Sequence, residues 1–282
     1  MSPKNIQYRK AKSTAFKSIV ILLSFLCTIP LIGILYYIVR KGIKAINWQF
    51  LVQLPKPVGE TGGGIANALT GSIALVLVAA VIAIPVGILA GIYLSENKDR
   101  KLAYWTRLSA DILQGVPSIV TGIVAYFWIV KPMKGFSSFS GSIALAVMML
   151  PIVVRTTEET LLLIPHSLKE AALALGVPYH RTILKVIVPC GLSGILSGVL
   201  LSVARIAGET APLLFTAFGN PYMNLNIFKP MQSLPLMIYN YAISPYDQWH
   251  NMAWGAAMIL LIWILSLNIL TKLITKRWRV QL

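Results

Sequence analysis

The sequence predicts an all-α integral membrane protein with six transmembrane helices, and three observations predict it. Hydrophobic residues make up 56% of the 282 and charged residues 12%, about half of the roughly 25% usual in a soluble domain. The apolar residues gather into runs long enough to cross about 30 Å of hydrocarbon, which takes about 20 residues of helix. Lysine and arginine fall unevenly on the segments between those runs, the bias that orients a membrane protein.

The expected crossings are 16–39, 67–94, 112–130, 141–154, 188–218 and 252–270. The second lies inside an uncharged stretch, 61–95, and the fourth extends back through 135–140. The fifth is not free of charge. Lys4, Arg9, Lys10, Lys12 and Lys17 beside the first run imitate a signal peptide. That run is too long for such a segment and no A-x-A site follows, so it reads as an uncleaved anchor helix. With the N-terminus in the cytoplasm, the cytoplasmic segments hold 17 Lys and Arg and the outer segments 7, Arg205 being inside a span. This bias places both termini inside. The outer segments are then about 40–66, 131–140 and 219–250. The last is rich in proline and aromatics, among them Pro221, Tyr239, Tyr241, Tyr246 and Trp249. Interfacial anchoring of Tyr and Trp and docking of an external partner both fit it.

The net charge of +16 comes from 25 Lys+Arg against 9 Asp+Glu. It suits an anionic membrane face. No basic segment is both long and soluble, so nucleic acid is set aside. Cys27 and Cys190 stand in or beside apolar runs without a CxxC pattern, and read as small packing residues rather than a disulfide or metal site. No cofactor or metal is expected. His166, His180 and His250 are scattered over three settings, which argues against a membrane enzyme. Gly87 and Gly91, and Gly194, Gly198 and Ser202, recur every four residues, the spacing that lets helices approach closely in lipid.

The segment 167–191, between the fourth and fifth spans, reads SLKEAALALGVPYHRTILKVIVPCG. Glu170 to Leu175 are strong helix formers. Gly176 suits a left-handed helix end, Pro178 the opening of a second helix, and Pro189 the start of the fifth span. Such an amphipathic pair can lie on the bilayer or fill a partner's groove. Glu170-Ala171-Ala172, three residues, Gly176, nine residues, then Val186-x-Val188-Pro189 resembles the EAA loop of ABC importer permeases at every spacing. The resemblance implies a type I, MetI-like permease architecture. It also implies that Glu170, Ala171, Ala172 and Gly176 belong to a coupling helix seated in a cleft of an ATPase subunit. No G-x-x-x-x-G-K-[ST] phosphate loop is present, so ATP hydrolysis is expected in a separate chain.

The fifth span holds Arg205 and Glu209, four residues apart and so on one helix face. Charges this deep are costly and usually line a cavity or pathway. Gly208 and Pro212 flank the pair, and Pro212 removes a helical donor, so the helix is expected to bend or loosen there. One reading is a salt bridge holding the span to its neighbours. The other is an anion path, with Arg205 offering paired donors to a tetrahedral oxyanion. Glu209 then steadies Arg205 or accepts a hydrogen bond from the proton-bearing oxygen that phosphate has at neutral pH and sulfate lacks.

The stretch MLPIVVRTTEETLLLIPHSLKEAALALG and, further on, ARIAGETAPLLFTA resembles the A-type permeases of bacterial phosphate ABC transporters, densely from Met149 to Phe218. This likeness implies that Arg205, Glu209 and Arg155 take part in transport, although Arg155 also fits a plain flanking charge at the end of the fourth span. It implies four kinds of partner: a homologous second permease, two ATP-binding subunits, an extracytoplasmic phosphate-binding protein and membrane lipid. The location is then the bacterial inner membrane. The expected divisions are 1–66 (tail, first span and outer loop), 67–272 (permease core, with coupling loop 167–190) and 273–282 (cytoplasmic tail). Two rivals stay open, a permease for molybdate or sulfate and a stand-alone anion channel or secondary transporter.

Overall fold

The computed structural model describes residues 3–60 and 62–277. Met1, Ser2, Thr61 and the last residues of the expected 273–282 tail therefore lie outside the described residues. Every regular element in the described residues is a helix. Along the chain these are α1 (Pro3–Gly42), α2 (Trp48–Val52), α3 (Ala66–Glu96), α4 (Lys101–Gly115), α5 (Ser118–Met133), α6 (Ser138–Leu162), α7 (His166–Ala174), α8 (Tyr179–Ala207), α9 (Ala211–Leu214), α10 (Leu234–Ala242) and α11 (Asp247–Arg277). Among the described residues α1, α3, α6, α8 and α11 are each long and apolar enough to cross a membrane, and α4 with α5 adds a sixth crossing as a pair bent by 106°.

That bend corrects the third expected span, 112–130. Pro117 pushes the residue before it out of the helical region, and Val116 is extended, with ψ 126°. Residues 112–115 therefore complete α4, which meets α5 at the bend, and the crossing is made by the pair. The fifth span is corrected at both ends. Pro178 caps α8 as expected, but Pro189 starts nothing, because the helix runs from Tyr179 through it. One π-turn, Ile183–Ile187, precedes the proline and absorbs the local shift in hydrogen bonding. At the other end α8 stops at Ala207, well short of 218.

The core centres on α6, packed between α3 and α8. Helices in lipid gain little from hydrophobicity and rely on close approach, and here glycine supplies it on both sides. A Cβ on Gly87 or Gly91 of α3 would stand 2.7 and 2.5 Å from side-chain carbons of Val153 and Thr157. On the opposite flank, a Cβ on Gly194 or Gly198 of α8 would meet Thr160 at 2.4 Å or Thr156 at 2.1 Å. Ser202, the third member of that stripe, is fully buried.

The outer segment 219–250 is more ordered than a loop. Within it α10 drives Leu234, Leu236 and Met237 into the interior, where Leu234 and Met237 join Phe50, Ile65 and Met252. Ser233 caps this helix, and Ser72 of α3 accepts a hydrogen bond from the Leu234 amide at 2.7 Å. Gly71 makes room for the approach, since a Cβ there would lie 1.9 Å from the Gln232 carbonyl oxygen. The apolar span of α1 is unburied along its length. It meets the rest near its end, where Gly42 faces Met258 and Tyr37 packs on Trp254.

Gly198→Leu is expected to destabilise the bundle by roughly 1–3 kcal/mol, the usual cost of overpacking. Thermal unfolding in detergent checks it, and an unchanged midpoint would remove the seam from the account.

Candidate translocation site and coupling surface

One irregularity at membrane depth lies where α8 ends. Irregular backbone at membrane depth is tolerated only where protein buries it or a water-filled cavity adjoins it. The facing pairs Gly194–Thr160 and Gly198–Thr156 set the register of α8 against α6, and carry Arg205 to the level of Met149. That is the twelfth of the 25 residues of α6, near mid-thickness. Gly208 and Glu209 turn back to the carbonyls of Arg205 and Ile206, both at 3.2 Å, which tightens the last turn and closes the helix. The chain then passes through the four-residue α9. Pro212, at its start, lies against Gly122 of α5, where a Cβ would be 2.7 Å from the Pro212 Cα.

The expected loosening between Gly208 and Pro212 is thus a complete break, and Arg205 and Glu209 stand on its two sides rather than on one continuous face. They still pair, with Arg205 Nε 3.9 Å from Glu209 Oε1. That is too long for a hydrogen bond. Among the described residues the guanidinium has no nearer ionic partner. Its side chain is 55% exposed, against 19% for Glu209, so an arginine of mid-membrane depth keeps most of its donors open. A cation in the last turn also meets the negative end of the helix dipole.

Arg155 has a different setting. The same register puts it six residues from the level of Arg205, about 9 Å along the axis. Its Nε donates to Asp111 Oδ1 at 2.9 Å, its Nη2 bonds both Asp111 oxygens, and its Nη1 lies 3.2 Å from Glu158 Oε2. Glu158, 2% exposed, also accepts from Arg107 Nε. Arg107 in turn donates to the Leu94 and Lys98 carbonyls at 2.8 and 3.0 Å, closing the end of α3. A chain of alternating charge, Asp111–Arg155–Glu158–Arg107, therefore clips α4 onto α3 and α6. Buried charges need such pairing, and Arg155 is already held by two carboxylates.

The coupling segment folds as two helices around a left-handed turn. Glu170, Ala171 and Ala172 lie in α7. Gly176, at φ 77°, ends it, with its amide on the Leu173 carbonyl at 2.9 Å and the Val177 amide on the Ala172 carbonyl at 3.2 Å. This pair of bonds is a Schellman closure, which favours glycine at that position. No neighbouring atom crowds Gly176, so its backbone angle alone requires it. Ala172 is buried, Glu170 is exposed and bonded to His166 at 3.0 Å, and Leu163 and Leu175 are each 84% exposed. Beneath the segment, Glu96 at the end of α3 accepts from Lys169 Nζ and from the Tyr179 hydroxyl. A carboxylate at a helix C-terminus opposes the dipole, and Lys169 offsets that. Burial pulls the Lys169 ammonium down, but its bonds to Glu96 and Tyr179 outweigh burial and hold its pKa above the ordinary lysine range.

Residues 83–280 match the family described as binding-protein-dependent transport system inner membrane component. The chain belongs to that family. Among relatives of this permease, the phosphate transport system permease protein PstA of Yersinia pestis is 46% identical over 86% of this chain and 83% of its own. The protein of the same name from Pasteurella multocida is 40% identical over 97% and 98%. The fold is shared with an inward-facing crystal form of the MetNI methionine ABC transporter, at TM-score 0.66 and 17% identity over 77% of this chain and 96% of that one. It is shared too with a chain of a bacterial alginate ABC transporter, at TM-score 0.65 and 11% identity over 97% and 96%.

The sequence offered Arg155 a part in transport or a plain flanking charge, and left unread Asp111 as its partner, Arg107 as that of Glu158, and Glu96 with Tyr179 as those of Lys169. Scarcity was the available signal. With nine acidic residues in the chain, Asp111 stands alone between Asp99 and Glu158. Arg107→Gln should cost roughly 1–3 kcal/mol, the penalty for leaving a buried charged group short of a partner. Denaturation of the purified permease measures it, and Arg107→Gln combined with Glu158→Gln should lose less than the two single changes added together.

Proposed function

We infer that the chain is a transmembrane permease subunit of an ATP-driven phosphate importer, forming half of the translocation path and joined to the motor through the EAA loop. One observation carries the reading: a spanning helix broken at mid-depth beside an arginine whose donors are open. Discontinuous helices with charge at the break are where membrane transporters hold their substrates. The relatives named for phosphate transport give the anion. Arg205 binds it through planar paired donors. Glu209 accepts a hydrogen bond from the protonated oxygen of hydrogen phosphate, which a sulfate ion cannot offer. Arg155 belongs to the same proposal as a second station nearer the coupling loop, reached by an anion only in competition with Asp111 and Glu158.

The two termini lie in the cytoplasm, on the side of the basic segments. A homologous second permease completes the path. Two ATP-binding subunits hydrolyse ATP in separate chains, and an extracytoplasmic phosphate-binding protein delivers the anion. Closure of the motor pair on ATP moves α7, and the spans reorient around the anion. Such a cycle runs only if the contacts to substrate differ between the two states. Within this scheme 1–66 is an appended span and its loop, 67–272 the transport core with the loop 167–190, and 273–282 a tail.

Arg205→Gln is expected to abolish uptake of labelled phosphate while the complex still assembles, and normal uptake would take the residue out of the path. Sulfate uptake by the wild-type complex, unaffected by phosphate, would overturn the substrate. Vesicles holding the chain without an ATPase should be inert, and anion flux through them would refute the subunit reading.

Gly176→Val should uncouple hydrolysis from uptake, because a β-branched residue resists the left-handed turn. The ratio of phosphate imported to ATP hydrolysed, measured in proteoliposomes, is expected to fall severalfold.

A further inference from the structure

We propose that the start of α4 is a binding site for the headgroup of an anionic phospholipid, formed by Lys98, Arg100, Lys101, Tyr104 and Trp105. The proposal needs the chain to be in a membrane and does not depend on phosphate being the transported anion.

The position of α4 is the first support. α4 and α5 pass for one crossing only as a pair bent by 106°. α4 runs antiparallel along α6, with Arg107 bonded to Glu158, Asp111 to Arg155, and Gln114 Nε2 donating to the Pro151 carbonyl at 3.4 Å, so it is the start of α4 that lies at the coupling end. Its level is that of the coupling loop, since Arg107 bonds the end of α3 and Glu96, at that end, bonds Lys169 of α7. The faces of α4 are the second support. Ala103, Arg107 and Ala110 turn inward, the two alanines fully buried and Arg107 tied to Glu158. Leu102, Trp105 and Ile112, three and seven residues apart, form an exposed apolar stripe. One face of the helix thus rests on the protein, and the other is an apolar strip open to acyl chains that leads inward from the headgroup level.

The charges are the third support. A surface cleft of about 530 Å³ opens at the start of the helix, lined by Lys98, Asp99, Arg100, Lys101, Tyr104, Trp105 and Arg107. Arg107 is neutralised by Glu158. Among the described residues Lys98, Arg100 and Lys101 enter no ion pair, and Asp99 is the single carboxylate of the cleft. Three cations thus face one anion beside exposed Tyr104 and Trp105, the ring types that settle at headgroup depth. A phospholipid satisfies both halves at once. Its phosphate meets the cations, and its acyl chains continue along Leu102, Trp105 and Ile112. A soluble anion would use only the first half, and a polar protein surface would leave the stripe in water.

The test uses the complete transport complex reconstituted in phosphatidylcholine, with spin-labelled phosphatidylglycerol or phosphatidylcholine as probe. Wild type should select phosphatidylglycerol, and 1 M salt should remove most of that preference, since the Debye length then falls to about 3 Å. Lys98→Gln, Arg100→Gln and Lys101→Gln should each lower the relative association about fivefold at low salt. The charge-conserving pair Lys98→Arg with Lys101→Arg should keep it, which separates lost charge from lost folding. Equal association in the triple glutamine variant, or insensitivity to salt in the wild type, would overturn the site. Displacement of the lipid probe by millimolar inorganic phosphate would assign the cleft to a soluble anion. Loss of ATP-binding subunit association with lipid selection intact would assign it to a protein contact.

Discussion

The structure depends on one close approach. α6 can occupy the centre only because its neighbours present glycine to it on two flanks, Gly87 and Gly91 from α3 and Gly194 and Gly198 from α8. In water a bundle can be driven together by burying leucine. In lipid the alternative to a helix neighbour is equally apolar, and packing distance does the work. The candidate site is placed by this sandwich. It brings Glu158 and Arg155 of α6 to the end of α3, and it fixes the depth at which α8 stops.

Charge divides accordingly. Acidic residues are few, and on the coupling side they are used for structure: Glu96 fastens the coupling segment to α3, while Asp111 and Glu158 fasten α4. Those sites are saturated, with each carboxylate held by one or two basic side chains. Arg205 is the exception, facing a carboxylate at 3.9 Å with most of its surface open. A saturated network resists motion, whereas a loosely paired arginine can exchange its partner for a mobile anion. This contrast between the two arginines is what gives Arg205 the first place in the proposed path and Arg155 a second, contested one.

Much of this was legible beforehand. The number of crossings, the glycine spacing and the left-handed end at Gly176 all follow from patterns local to one helix. The break beside Gly208 was readable as a weakness but not as a full stop, because the tightened turn at Arg205 and Ile206 depends on the chain being held by α5 beyond it. The bend at Pro117 was missed since residues on both sides are apolar, and hydropathy carries no direction. α10 was hidden for a similar reason, its proline and tyrosines reading as an interfacial loop while Leu234 and Met237 were in fact core. The partners of Arg155 were illegible because Asp111 lies 44 residues away and no local period connects the two.

The short reach of α8 also bears on how the chain is made. An arginine at the centre of an inserting helix costs roughly 2.5–3.5 kcal/mol on translocon scales. Because α8 ends two residues after Arg205, the charge sits in the last turn, where the carbonyls at the helix end can serve as partners for its donors. Membrane insertion thus meets the same discontinuity that the proposed path uses, a helix end that offers partners to the charge carried in its last turn.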